Sequence, residues 1–255
     1  MYPDVTELRD FYGTAMGTVV RRLIASRLRA RWRNVQGLNV FGLGYPGPYL
    51  GAFRGEAARI GALMPAKQGI IAWPGEGPRQ CALVDDTDLP LPDASADRIL
   101  IVHGLEHCEA SHRLLREVWR VLTPNGRVLL IVPNRRGVWA RLDSTPFGHG
   151  RPYSRGQLDR NLQNAMFRPV DWIQALFMPP INRSLLFRSA TAWERLGARL
   201  WPAFSGLILV EAVKEVYATT PKSALRSATQ RLRPLPATLF AGSGDPSRSR
   251  AERSF

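Results

Sequence analysis

Cysteine is nearly missing from this chain: Cys81 and Cys108 are the only two in 255 residues. So small a set cannot build a disulfide framework and fits a reducing compartment. Long apolar runs are missing as well. No stretch approaches the roughly 18 residues that span a bilayer, and the acids among the first ten residues do not suit a signal peptide. A soluble, cytoplasmic protein is expected. Acidic residues are scarce too, with Asp+Glu 21 against Lys+Arg 35, a net charge of +14 and a pI near 11.0. Taken alone, that surplus points to nucleic acid or another anionic partner. A hydrophobic fraction of 45% excludes a wholly disordered chain, and the length suits one large domain with appendages.

The surplus is unevenly placed. Residues 1–36 hold seven basic and three acidic residues, 37–220 hold 21 and 16, and 221–255 hold seven and two. Most of it therefore belongs to the ends. In the first segment Leu8, Phe11, Tyr12, Ala15, Val19, Leu23 and Leu28 recur at helical spacing, which predicts one basic amphipathic helix over 5–32 packed on the core. Six arginines and no acid lie from Arg21 to Arg33. That flank suits phosphates of nucleic acid or of an anionic membrane, or simply water. From about residue 219 the periodicity ends, and prolines, a Gly-Ser-Gly stretch and Arg-Ser pairs predict a disordered basic tail over 219–255.

Between the ends, short apolar runs alternate with helical stretches. Strands are expected at 38–43, 60–63, 81–84, 98–103, 127–132, 170–177 and 207–213. Helices are expected at 110–122, closed by a Thr-Pro-Asn-Gly turn at 123–126, after a capping box at Ser154 and Gln157, and over 183–201. Such alternation implies crossovers and a largely parallel sheet covered on both faces, with ligands at the carboxyl ends of its strands.

Two motifs mislead. Gly42, Gly44 and Gly47 spell the dinucleotide fingerprint after the first strand, yet residues 61–66 lack the acid that a ribose requires. His103-Gly104-Leu105-Glu106-His107 spells an inverted zinc-protease pattern. That chemistry wants both histidines on one helix face, whereas here they straddle a strand-to-helix turn, so no metal is expected.

A third pattern is long. Leu83-Val-Asp-Asp-Thr-Asp-Leu-Pro-Leu-Pro-Asp-Ala-Ser-Ala-Asp leads into the fourth strand, and Arg116-Glu-Val-Trp-Arg-Val-Leu-Thr-Pro-Asn-Gly leads into the fifth. This stretch resembles the class I S-adenosylmethionine-dependent methyltransferases. The resemblance implies a Rossmann-like α/β fold over 37–218, with a seven-stranded mostly parallel sheet, helices on both faces and the last strand antiparallel. It implies S-adenosylmethionine as cofactor and S-adenosylhomocysteine as product, with an unidentified methyl acceptor that is small, acidic or aromatic. Gly42, Gly44 and Tyr45 of the first turn, Met64 ending the second strand, Asp85 or Asp86 at the adenine, and His103 facing the sulfonium would bind the cofactor. His103 or His107 would be the catalytic base. Trp139, Arg141, His149 and Tyr153, after the fifth strand, would meet the acceptor.

Two departures stand against the family's pattern. Gly42 replaces the usual acid of the first turn, with Pro46 and Pro48 at later glycines, and Leu63-Met64-Pro65 replace the ribose-binding acid. A degenerate fold that only binds RNA, membrane or a protein is therefore the alternative expectation.

Overall fold

The computed structural model describes residues 3–181 and 189–216, all within one compact unit. The expected tail over 219–255 and the first part of the helix expected at 183–201 lie outside the described residues. The strands are β1 (Asn39–Gly44), β2 (Arg59–Pro65), β3 (Cys81–Val84), β4 (Ala96–Val102), β5 (Leu122–Pro133), β6 (Phe167–Ala175) and β7 (Leu207–Lys214). They form one sheet in the order β3-β2-β1-β4-β5-β7-β6, parallel from β3 to β5, with β7 antiparallel to both neighbours. Strand order reverses between β1 and β4, which makes the gap beyond their carboxyl ends the expected ligand position.

Period-two alternation distributes the strands between two cores. Val40, Met64, Leu100, Val102, Leu129 and Ile131 pack toward the N-terminal helices and the short α3 (Gly47–Leu50). Leu43, Leu63, Ile99, Ile101, Leu130 and Val132 pack toward α4 (Ser111–Val121) and α5 (Arg155–Asn164). Both faces of β4 are therefore apolar, as a central parallel strand requires. The capping box at α5 forms as expected, with Ser154 and Gln157 exchanging side-chain and backbone hydrogen bonds.

Two expectations need correction. The N-terminal segment is two helices, α1 (Val5–Gly13) and α2 (Ala15–Arg31), because Thr14 interrupts it. Its hydroxyl donates to the Phe11 carbonyl at 2.7 Å and accepts from the Gly17 N–H at 3.0 Å, so it closes one helix and opens the next. The turn expected at 123–126 lies inside β5, which begins as α4 ends; Asn125 at φ +64° absorbs the bend, and the β4–β5 register shifts between Ala96 and Arg98.

The arginine flank of α2 is also less free than its sequence suggests. Arg27 pairs with Glu194 on α6 (Ala190–Leu200), Arg29 with Glu56, and Arg31 with Glu211 on β7 and with Asp171. Glu211 is buried and also accepts from Trp32 Nε1 at 3.1 Å and Arg127 at 3.2 Å, so one carboxylate joins α2 to the sheet.

Removing that carboxylate takes their shared acceptor from Arg127 and the Trp32 indole N–H and leaves Arg31 with Asp171. Glu211→Ala should lower unfolding free energy by roughly 2–4 kcal/mol in urea denaturation. Arg29→Ala, at a pair more than a third exposed, should cost less than about 1 kcal/mol.

Candidate functional site

Gly44 ends β1 at φ +92°, and a Cβ there would lie 2.1 Å from the Val102 carbonyl oxygen, so only glycine fits. The next N–H, of Tyr45, donates to that same oxygen at 2.7 Å. At Gly42 a Cβ would lie 2.3 Å from the Pro46 side chain. The family's acid is therefore not merely absent: the ring of Pro46 fills the space its side chain would need.

Beyond β2 and β3 a cleft of about 270 Å³ opens, lined among others by Pro65, Lys67, Asp85, Asp86, Cys108 and Arg113. It lies just under the roughly 300–1,000 Å³ typical of pockets that engulf a whole small molecule. Asp85 is exposed, and one of its oxygens accepts from both the N–H and the hydroxyl of Thr87 at 2.8 Å. These bonds hold its carboxyl below the usual range. Asp86 is half-buried on the same wall.

Next to the cleft, at the switch point, the space is occupied by protein. His103 follows β4 at φ +51° and is fully buried. Its Nε2 meets the Tyr12 hydroxyl at 2.9 Å, and that hydroxyl meets Tyr49 at 2.9 Å. Tyr12 also stacks on Tyr45, and Phe147 lies against the His103 ring at 4.7 Å. The His103 carbonyl accepts from the Gln68 amide at 3.3 Å, while the Gln68 carbonyl accepts from the Val5 N–H of α1. Burial raises the hydroxyl pKa of Tyr12 well above its ordinary value and raises that of Tyr49 as well.

Glu106 and His107 complete this cluster. His103 Nδ1 stands 3.5 Å from Glu106 Oε1, and His107 Nε2 stands 4.0 Å from it. All three residues are buried, and among the described residues neither Glu106 oxygen has a donor closer or better aligned than these long imidazole contacts. Burial pushes the Glu106 carboxyl up, but His103 and then His107 outweigh it, and the net direction is down. A buried carboxylate without hydrogen bonds costs several kcal/mol unless a cation offsets it. The following segment fixes the geometry: Arg151 N–H donates to the Glu106 carbonyl at 2.7 Å, and Gly150, at φ +82°, leaves room for the His107 ring.

The expected site residues thus divide. Gly44, Tyr45, His103 and His107 come together at the switch point, and Asp85 and Asp86 line the cleft. Gly42 is shut off by Pro46. Met64 is fully buried in the core, its sulfur accepting the Ile71 N–H at 3.4 Å, and Pro65 takes its place on the cleft. The acceptor set does not converge. Trp139 is 1% exposed and donates to the Met178 carbonyl at 2.7 Å, as a packing residue does. Tyr153 is buried, with its hydroxyl on the Leu105 carbonyl at 3.3 Å. Arg141 and His149 are exposed, and His149 lines a separate groove with Pro3, Glu7 and Asp143. Tyr12, Gln68 and Arg113 are the contributors that sequence reasoning missed. Tyr12 reads as core in the α1 stripe, and nothing local marks it as a partner of His103.

The fold is that of the class I methyltransferases. A family model described as a methyltransferase domain matches residues 47–130, and S-adenosylmethionine is the cofactor it implies. Over 86 residues the chain is 35% identical to a protein of Mycolicibacterium smegmatis described as a probable S-adenosylmethionine-dependent methyltransferase. The match covers 33% of this chain, and the chain spans only about a third of that relative's length. Among solved structures, the methyltransferase held by the Haloferax volcanii Trm112 activator superposes with a TM-score of 0.60 at 16% identity, covering 84% of this chain and 99% of that one. A SAM-dependent methyltransferase from Archaeoglobus fulgidus gives 0.55 at 19%, covering 76% and 94%. Among the described residues no helix is long and apolar enough to cross a membrane.

Tested against this structure, the cleft carries carboxylates and cations of a kind that suits adenosine, whereas the switch point beyond Gly44, where the resemblance implies the methionine end, is filled by Tyr12, Tyr45 and Gln68 around His103.

Two measurements follow from this geometry. Gly44→Ala should destabilise the fold by about 2–3 kcal/mol or more, from positive φ and the clash with Val102, whereas Gly51→Ala, which meets open space, should change little. Tyr49 ionises at its ordinary value near 10 only when unfolded. Its raised native pKa therefore contributes stability that is complete below pH 10 and is lost as pH rises beyond it. Tyr49→Phe should flatten that alkaline decline in denaturation curves taken between pH 9 and 11.

Proposed function

We propose that the chain is an S-adenosylmethionine-dependent methyltransferase whose cofactor seats its adenosine in the cleft beyond β2 and β3. The single observation behind this is the position of that cleft: it opens within the stretch matched by the methyltransferase family and is walled by Asp85 and Asp86. Asp86, half-buried on the cleft wall, is the candidate acceptor for the adenine amino group beside Asp85, one of whose oxygens is engaged by Thr87. Lys67 and Arg113 offset its charge from the other walls. The cofactor supplies an electrophilic methyl group, and the chain supplies position. The acceptor approaches from the His103 side, where His103 and His107 are the candidate bases. As placed, neither meets it until Tyr12 and α1 move aside.

A second reading has its own support. The covered methionine end and the proline-filled first turn suit a fold that binds without transferring. In that reading Arg21 and Arg22, the exposed arginines of α2 that pair with no carboxylate among the described residues, and the basic tail would hold an anionic partner such as RNA or membrane. Neither Cys81 nor Cys108 forms a disulfide, which suits a reducing cytoplasm under either reading.

Calorimetric titration with S-adenosylhomocysteine separates the two. The enzyme reading expects saturable heat, weakened roughly tenfold to a hundredfold by Asp86→Ala through loss of a charged hydrogen bond. No heat and no thermal stabilisation up to millimolar ligand would leave the binding-only reading. Tyr12→Ala should tighten binding, because a site that is open only a tenth of the time shows about a tenfold weaker apparent affinity. An unchanged constant would show that α1 does not cover the cofactor.

A further inference from the structure

The geometry points to a metal site: His103 Nδ1, a Glu106 carboxylate oxygen and His107 Nε2 bind one divalent transition-metal ion, with zinc the best match. The three ligand atoms all lie within 4.8 Å of one another, in a site enclosed by protein. Metal–ligand distances of about 2.0–2.2 Å place tetrahedral ligands roughly 3.3–3.5 Å apart. The 3.5 Å and 4.0 Å separations from Glu106 Oε1 are close to that, and with all three atoms within 4.8 Å the set needs to close by no more than about 1–1.5 Å on binding.

Three further features favour a cation over chance proximity. Glu106 is buried to 1% exposure, and among the described residues its oxygens meet no donor in good hydrogen-bond geometry, only the His103 and His107 ring nitrogens at 3.5 and 4.0 Å. His103 Nδ1 faces Glu106 in that long contact, while its Nε2 is held by the Tyr12 hydroxyl. An outer partner on the far ring nitrogen is the usual means of orienting a metal-binding imidazole. Finally, His103 occupies a left-handed backbone conformation at φ +51°, costly for a residue with a side chain and concentrated at functional sites. The strand-to-helix turn that denies the two histidines a common helix face is what folds them back onto Glu106.

Two imidazoles and a carboxylate suit zinc or ferrous iron over magnesium, which prefers an all-oxygen shell. Three protein ligands leave a position for an oxygen of a bound molecule. The site stands on this geometry and does not require methyl transfer. Should both hold, His103 and His107 act as ligands, and the ion takes the place of a histidine base beside the acceptor.

The experiment uses untagged full-length protein produced in zinc-supplemented medium, desalted against a weak chelator and assayed for metal. One equivalent of zinc per chain is expected. Cobalt in its place should give visible ligand-field absorption. Glu106→Gln and His107→Gln should each lower zinc affinity at least a hundredfold in competition with a chromophoric chelator. The double variant His112→Ala/His149→Ala should keep the full equivalent. Because Glu106→Gln also removes a buried charge, its fold is checked by circular dichroism, and Glu106→Asp is expected to recover part of the affinity. Zinc retained equally by Glu106→Gln and His107→Gln, or a wild type that holds no zinc, cobalt or ferrous iron, overturns the site. In that event a proton shared between the imidazoles and Glu106 is the cation that balances the carboxylate.

Discussion

The contact between the Tyr12 hydroxyl and His103 organises the carboxyl edge of the sheet. Tyr12 belongs to a helix that precedes the sheet in sequence, and His103 follows its central strand, so one 2.9 Å contact ties the first element to the topological switch point. Around it everything is either buried or committed. Tyr49 takes the other side of the hydroxyl, Tyr45 stacks on its ring, and Gln68 caps the His103 carbonyl while holding Val5. Because burial opposes ionisation of both tyrosines, the contact is one of neutral hydroxyls. It survives there only while water is excluded. The same exclusion leaves Glu106 with the two imidazoles as its nearest polar neighbours.

Much of the architecture was legible because its signals are local and repeated. Each expected strand is present, displaced at its ends by at most a few residues except at β5, whose first residues follow α4 without a loop. The capping box at Ser154 is a short-range rule and forms as read. The site was legible only in outline. Asp85 and Asp86, expected from a resemblance of linear motif, do line the cleft, and linear motif is what sequence preserves. Met64 failed because alternation sends it to the opposite face from its neighbours, and a strand end does not announce which face carries the ligand. Trp139 and Tyr153 failed for a related reason. Aromatic residues after β5 suggest stacking on a ligand, but Gly206 leaves a space that the Trp139 indole fills, and the Leu105 carbonyl takes the Tyr153 hydroxyl. Tyr12, some ninety residues from its partner, was beyond any local rule.

The basic character of the chain also reads differently once its partners are named. Arg27, Arg29 and Arg31 are half of the six arginines between Arg21 and Arg33, and each meets a carboxylate from another element. Their charge is spent locally. Arg31 and Trp32 converge with Arg127 on buried Glu211, so the end of α2 is fixed to β7 through a single acceptor. An arginine suits that task because its planar fork satisfies several acceptors while its stem packs on apolar surface. What the sequence shows as a uniform basic flank is, in three dimensions, a structural seam beside a shorter exposed patch at Arg21 and Arg22.

That seam bears on how the carboxyl edge can open. Because α2 is fixed by ion pairs at its far end and α1 is separated from it by Thr14, the two helices need not move together. Thr14 caps both helices without extending either, so φ and ψ changes confined to that residue and Gly13 would swing α1 while α2 stays on the sheet. Gly17 restrains such a swing, since its missing Cβ lets the Phe11 carbonyl approach closely and packs the two helices tightly at the joint. The apolar contacts of Leu8 and the hydroxyl chain through Tyr12 then hold α1 down. The fold thus separates a rigid attachment from a lighter cover, and the cover is the part that stands over the buried histidines.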